Sequence, residues 1–81
     1  MMKRVAETKT MDGYCEQLFK TDKRYYRIVR TMQGNWFDIY INNSEYGESE
    51  YDEKMYFNNI PVREAYIKDC KESIKIYDMK N

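Results

Sequence analysis

The chain contains no histidine, a single proline, three glycines and two cysteines. Without histidine it lacks the commonest general base and the commonest metal ligand. Cys15 and Cys70 have neither a histidine nor a CxxC partner to complete a tetrahedral zinc site, so no metal is expected. Gly13, Gly34 and Gly47 lie too far apart to form a phosphate-cradling loop. No apolar run has the length of a membrane span. The opening residues, Met1 to Glu7, hold no apolar stretch of the secretory kind. We therefore expect a cytoplasmic protein that is not an enzyme, has no cofactor and makes no membrane contact. Two cysteines in such a chain read as small hydrophobes in a reducing compartment, and whether they meet in a disulfide is left open.

Branched aliphatic residues and phenylalanine are scarce too: Leu, Ile, Val and Phe number 14 of 81. That is below the fifth usual in folded chains, yet the high net charge that accompanies disorder is absent, with 14 basic against 14 acidic residues. Nine Tyr, one Trp and six Met supply the missing apolar area. Buried tyrosine hydroxyls need partners, so the core should be wet at its edges. At this length, area scaling allows about 64% of the unfolded surface to be buried, enough for one modest core. Residues 1–81 are read as a single domain.

The zero net charge is an average over unlike regions. Residues 1–33 carry eight basic and four acidic side chains. Residues 34–60 carry Lys54 against six carboxylates, and residues 61–81 five basic against four acidic. Such asymmetry points to charged partners. Phe, Tyr, Met, Ile, Asn and Lys, with AT-rich codons, make up 40 residues, whereas Gly, Ala, Arg and Pro make up 11. This contrast points to an AT-rich genome such as those of many bacteria, their phages and their mobile elements.

Strand signals fill the first half. Val5 to Met11 reads as a short strand before an Asp12-Gly13 turn, and Tyr14 to Lys20 as a second, ended by Thr21-Asp22-Lys23. Arg24 to Met32 is rich in β-favouring residues, and Asn35 to Asn42 is the clearest strand. Gln33-Gly34 between them suits a two-residue hairpin turn. That turn sets Thr31 opposite Trp36, Val29 opposite Asp38 and Arg27 opposite Tyr40. One face then carries Tyr26, Ile28, Arg30, Met32, Phe37, Ile39 and Ile41 and is expected to meet the core. The other is half-polar and aromatic. For residues 44–58 a short helix begun by Ser49-x-x-Asp52 competes with a short strand from Lys54 to Asn58. Pro61 is expected to open a C-terminal helix. Its apolar stripe would be Val62, Tyr66, Cys70, Ile74 and Tyr77, with Glu64, Lys68 and Glu72 opposite. The expected fold class is α+β: a small antiparallel sheet of three to four strands packed by a C-terminal amphipathic helix.

Two surfaces stand out as candidates for function. The first is the acidic segment formed by Glu45, Tyr46, Glu48, Glu50, Tyr51, Asp52 and Glu53. Spaced carboxylates can imitate nucleic-acid phosphates and occupy a basic groove, with tyrosines as anchors. Acidic loops also serve solubility alone. The second is a basic, aromatic hairpin built from Arg24, Tyr25, Arg27, Trp36 and Tyr40. Basic groups track phosphates and exposed rings stack on bases, although the same residues also serve as cross-strand packing and edge protection. An unpaired strand edge, or the face of Trp36 and Tyr40, would also permit a homodimer.

In general character the chain resembles the small accessory proteins of phages and mobile elements, of which anti-CRISPR and anti-restriction proteins are the best-known group. The residues that carry the likeness are Glu45-Tyr46-Gly47-Glu48-Ser49-Glu50-Tyr51-Asp52-Glu53. The resemblance implies an inhibitor that blocks a host nucleic-acid enzyme, such as a CRISPR effector nuclease, by covering its nucleic-acid or PAM-reading surface. The neutral overall charge departs from strongly acidic mimics and leaves an ordinary protein–protein contact open. The alternative expectation is a small nucleic-acid-binding protein that uses the basic hairpin.

Overall fold

The computed structural model describes residues 2–9, 15–31, 36–42 and 57–81, with the side chains of Lys9 and Pro61 outside that description. Five strands, β1 (Lys3–Lys9), β2 (Cys15–Lys20), β3 (Tyr25–Arg30), β4 (Phe37–Asn42) and β5 (Phe57–Glu64), precede one helix, α1 (Ile67–Lys80). The strands form one sheet in the order β1-β2-β3-β4-β5, with every neighbour antiparallel. The α+β class holds, and the described residues alone form five strands, more than the three to four expected.

The β3–β4 register is the one the Gln33-Gly34 turn implies. Arg27 pairs with Tyr40 and Val29 with Asp38. Thr31 N donates to Trp36 O at 2.9 Å. Since side chains alternate across a strand, this register decides which face meets the helix. Tyr26, Ile28, Phe37 and Ile39 join Phe19, Ile60, Cys70 and Ile74 in one buried cluster, flanked by Met2, Ile41, Val62, Ile67 and Tyr77. The β2–β3 turn is closed by Thr21. Its N–H donates to Arg24 O at 3.0 Å, and its hydroxyl accepts from the Lys23 and Arg24 N–H groups at 3.2 Å each. A threonine side chain replaces backbone acceptors here, as in other hydroxyl-closed turns.

The helix begins later than Pro61 indicates. Pro61 lies inside β5, and α1 starts at Ile67 after the extended residue Tyr66 (φ −133°, ψ 146°). β5 is an edge strand, and its register against β4 slips between Asp38 and Ile39, whose partners are Arg63 and Ile60. Pro61 and Val62 therefore occupy a bulge, and an edge-strand bulge is where a sheet tolerates a residue without an N–H. The spacing of Val62, Tyr66, Cys70 and Ile74 imitates a helical stripe across the strand–helix junction. Val62 packs on the core from the strand, and Tyr66 is 63% exposed. Glu64 likewise belongs to β5, where it accepts a hydrogen bond from Ser73 Oγ at 3.0 Å. The part of the stripe that survives is Cys70, Ile74 and Tyr77, with Ile67 beside it.

The far end of α1 is tied to the β2–β3 turn. Lys23 Nζ donates to Asp78 O at 2.8 Å, and Arg24 Nη2 donates to Asn81 O at 2.9 Å. Cations there satisfy terminal carbonyls and complement the helix dipole. Beneath them, the hydroxyl of fully buried Tyr26 donates to Asp78 Oδ1 at 2.7 Å. Arg24 Nε stands 4.0 Å from the same carboxylate oxygen. Tyr77 meets Tyr26 edge to face with ring centroids 6.2 Å apart. Burial, and then the Asp78 carboxylate, push the Tyr26 phenol well above its ordinary range.

Candidate functional site

Asn42, at the end of β4, pairs directly with Phe57, at the start of β5. The connection between these neighbours spans residues 43–56 and holds five carboxylates, Lys54, and the tyrosines Tyr46, Tyr51 and Tyr56. Antiparallel neighbours are ordinarily joined by two to five residues. The seven residues of the acidic candidate, Glu45, Tyr46, Glu48, Glu50, Tyr51, Asp52 and Glu53, all fall in this connection. They lie outside the described residues, as does the 44–58 segment where helix and strand compete, except Phe57 and Asn58, which belong to β5.

The described residues at the base of the connection sit on the sheet face away from α1. Arg27 Nε pairs with Glu16 Oε1 at 2.8 Å across β2 and β3, and its guanidinium lies 4.5 Å from the centre of the Phe57 ring. Leu18, Tyr25 and Asn42 are buried on this same face, Tyr25 to 1% exposure. The strand alternation that carries Tyr26 and Ile28 to the helix thus turns Tyr25 and Arg27 to the opposite face, with Leu18 and Asn42.

The basic hairpin is largely engaged within the fold. Arg24 binds the end of α1 and stacks 5.8 Å from the Tyr77 ring centre. Arg27 holds Glu16 and Phe57, and Tyr25 is buried. Trp36 is 46% exposed and Tyr40 half-buried, so these two rings alone of that set keep notable outward surface. Nearby, Arg63 Nε donates to Asp38 Oδ1 at 3.0 Å across β4 and β5. This cross-strand pair places opposite charges on the outer face.

At the other end of β4, Arg30, Phe37, Ala65, Tyr66 and Ile67 line an open cleft of about 470 Å³. Composition does not single these residues out. Arg30 and Phe37 read as core-face residues, and Tyr66 as part of the helical stripe. The usable signal is the small, then aromatic pair Ala65-Tyr66 at the junction where the strand pattern gives way to the helix.

Both cysteines are free. Cys70 is fully buried, and burial, followed by the charges of Glu64 and Asp69, pushes its thiol up to about 12. A thiol held protonated is a poor nucleophile, so Cys70 is a core residue. Among the described residues no three His, Cys, Asp or Glu side chains gather as metal ligands would. No described helix is long and apolar enough to cross a membrane. Compared with protein-family models, curated proteins and solved structures, the chain finds no match in any of the three.

Proposed function

We propose that this chain is a non-enzymatic binding protein whose partner surface is the acidic, tyrosine-bearing connection between β4 and β5. The partner class is a host protein with a basic surface, of which a nucleic-acid-processing enzyme such as a CRISPR effector nuclease is the leading example. The observation that carries this reading is the length of residues 43–56 between two residues, Asn42 and Phe57, that pair directly. Sheet topology needs only a short turn there, and connections this long in compact domains are usually functional or unstructured. Carboxylates at this density steer toward cations, and tyrosines anchor protein contacts.

The alternative, direct nucleic-acid binding by the hairpin, has less support. Arg24 and Arg27 already hold intramolecular partners, and Tyr25 is buried. The test is DNA cleavage by a panel of purified single-subunit effector nucleases, with wild type and with Glu48, Glu50 and Glu53 all changed to Lys. Wild type should suppress cleavage by at least one nuclease, and the triple variant should not. Its thermal midpoint should stay within about 3 °C. Equal suppression by both proteins would refute the acidic interface. Salt-sensitive binding of the protein itself to labelled DNA or RNA would move the assignment to the hairpin.

A further inference from the structure

The cleft at the junction of β5 and α1 lies at the opposite end of β4 from the acidic connection. We propose that it binds a small organic anion, namely a planar apolar body bearing one carboxylate or phosphate group.

The shape and the walls suggest the body. The volume of about 470 Å³ falls within the range of small-molecule sites. Phe37, Ala65, Tyr66 and Ile67 supply two rings, a methyl group and an aliphatic side chain. The backbone turn from extended Tyr66 into α1 keeps the Tyr66 ring outside the core, where it forms one wall. Flat rings accept a flat ligand by offset or edge contact.

Charge suggests the anionic group. Among the described lining residues Arg30 alone is permanently charged, and its guanidinium lies 5.7 Å from the Phe37 ring centre. Arg30 also has a partner within the protein, but a guanidinium carries five N–H donors in a planar fork suited to carboxylate or phosphate. A second cation, Lys68 Nζ, stands 5.8 Å from the centre of the Tyr66 ring. Glu64, next to the cleft in sequence, is held by Ser73, and neither Glu64 nor Asp69 lines the cleft. A cationic ligand would meet Arg30 without a carboxylate among the described lining residues. A neutral ring would gain only the apolar contact.

The experiment is amide chemical-shift titration of the labelled full chain with phenyl phosphate, benzoate, benzyl alcohol and inorganic phosphate. Saturable shifts centred on Ala65, Tyr66 and Ile67 are expected with phenyl phosphate, benzoate or both. Benzyl alcohol and inorganic phosphate, each lacking half of the proposed ligand, should bind at least about tenfold more weakly. Arg30→Gln should weaken the anion by about tenfold, as loss of a charged hydrogen bond does. Ala65→Leu, at an exposed position, fills the cleft and should weaken every probe. Preference for phenyl phosphate over benzoate would assign a phosphate ester, and the reverse an aromatic acid. Either preference supports the site. Shifts scattered over the surface, benzyl alcohol binding as tightly as the anions, or unchanged binding in Ala65→Leu would overturn it, and the last holds even if Arg30→Gln does not fold. The Glu48, Glu50 and Glu53 triple variant should bind these probes like wild type, so this proposal and the proposed function can fail separately.

Discussion

Changing Tyr26 to Phe removes one oxygen from the base of the sheet–helix contact. The ring is fully buried, and its hydroxyl donates to Asp78 Oδ1 at 2.7 Å. Hydrogen bonds to a charged acceptor contribute about 1.5–3 kcal/mol. Asp78 would still face Arg24 at 4.0 Å and retain some solvent contact, which places the loss near the lower bound, about 1.5 kcal/mol. For a chain of 81 residues, the unfolding entropy near the midpoint is about 170 cal/mol/K. The expected fall in thermal midpoint is then about 9 °C, read by circular dichroism at pH 7. The pH dependence gives a second reading. The Tyr26 phenol is raised above its ordinary value by burial and by Asp78. A raised folded-state value means that its contribution is fully present below the unfolded value of about 10 and is lost as pH rises toward the folded one. The gap between wild type and Tyr26→Phe should therefore narrow above about pH 10. A variant as stable as wild type at pH 7, or a gap that widens in alkali, would refute this account of the helix end.

Two further outcomes follow from burial. With a thiol-reactive chromophore, half-buried Cys15 should react first, while Cys70, held protonated up to about 12, should react only as the chain opens. Two equally fast thiols would contradict that arrangement. Ile74→Ala removes a side chain with no solvent exposure and should cost about 2–5 kcal/mol, whereas Ile76→Ala, at a position 48% exposed on the same helix, should cost well under 1 kcal/mol. Denaturant melts of the two variants would check this, and similar midpoints would mean that the helix docks by another face.

The hairpin of β3 and β4 was legible because one turn signal and two alternating runs agree. The register expected from Gln33-Gly34 is the one β3 and β4 adopt, and it sends Tyr26, Ile28, Phe37 and Ile39 to the same side. β1 was harder to place because Lys3 to Thr8 are all exposed and so show no alternation between apolar and polar sides. Two periodicities meet at the start of α1, so the sequence pattern places it too early. Val62 reaches the core from a strand and Cys70 from a helix, four-residue spacing joins them by coincidence, and a proline at an edge bulge resembles one at a helix start. Thr21-Asp22-Lys23 marks the β2–β3 turn but not its register, so the burial of Tyr25 and Leu18 needed the pairing itself. Of the site, sequence makes the concentration of acids evident, but not that their two ends pair. The cleft was illegible because its walls come from the ends of β3 and β4, the junction after β5 and the start of α1.

The sheet visits its strands in strict chain order, so the connection at 43–56 closes a contact that the neighbouring strand already specifies. Closing 14 residues rather than the four of the β2–β3 turn raises the loop entropy by only about 1 kcal/mol. On closure entropy alone, lengthening or shortening that stretch therefore costs little, provided Asn42 still meets Phe57. On the proposed function, the strand register would hold Asn42 and Phe57 constant while the length between them varied.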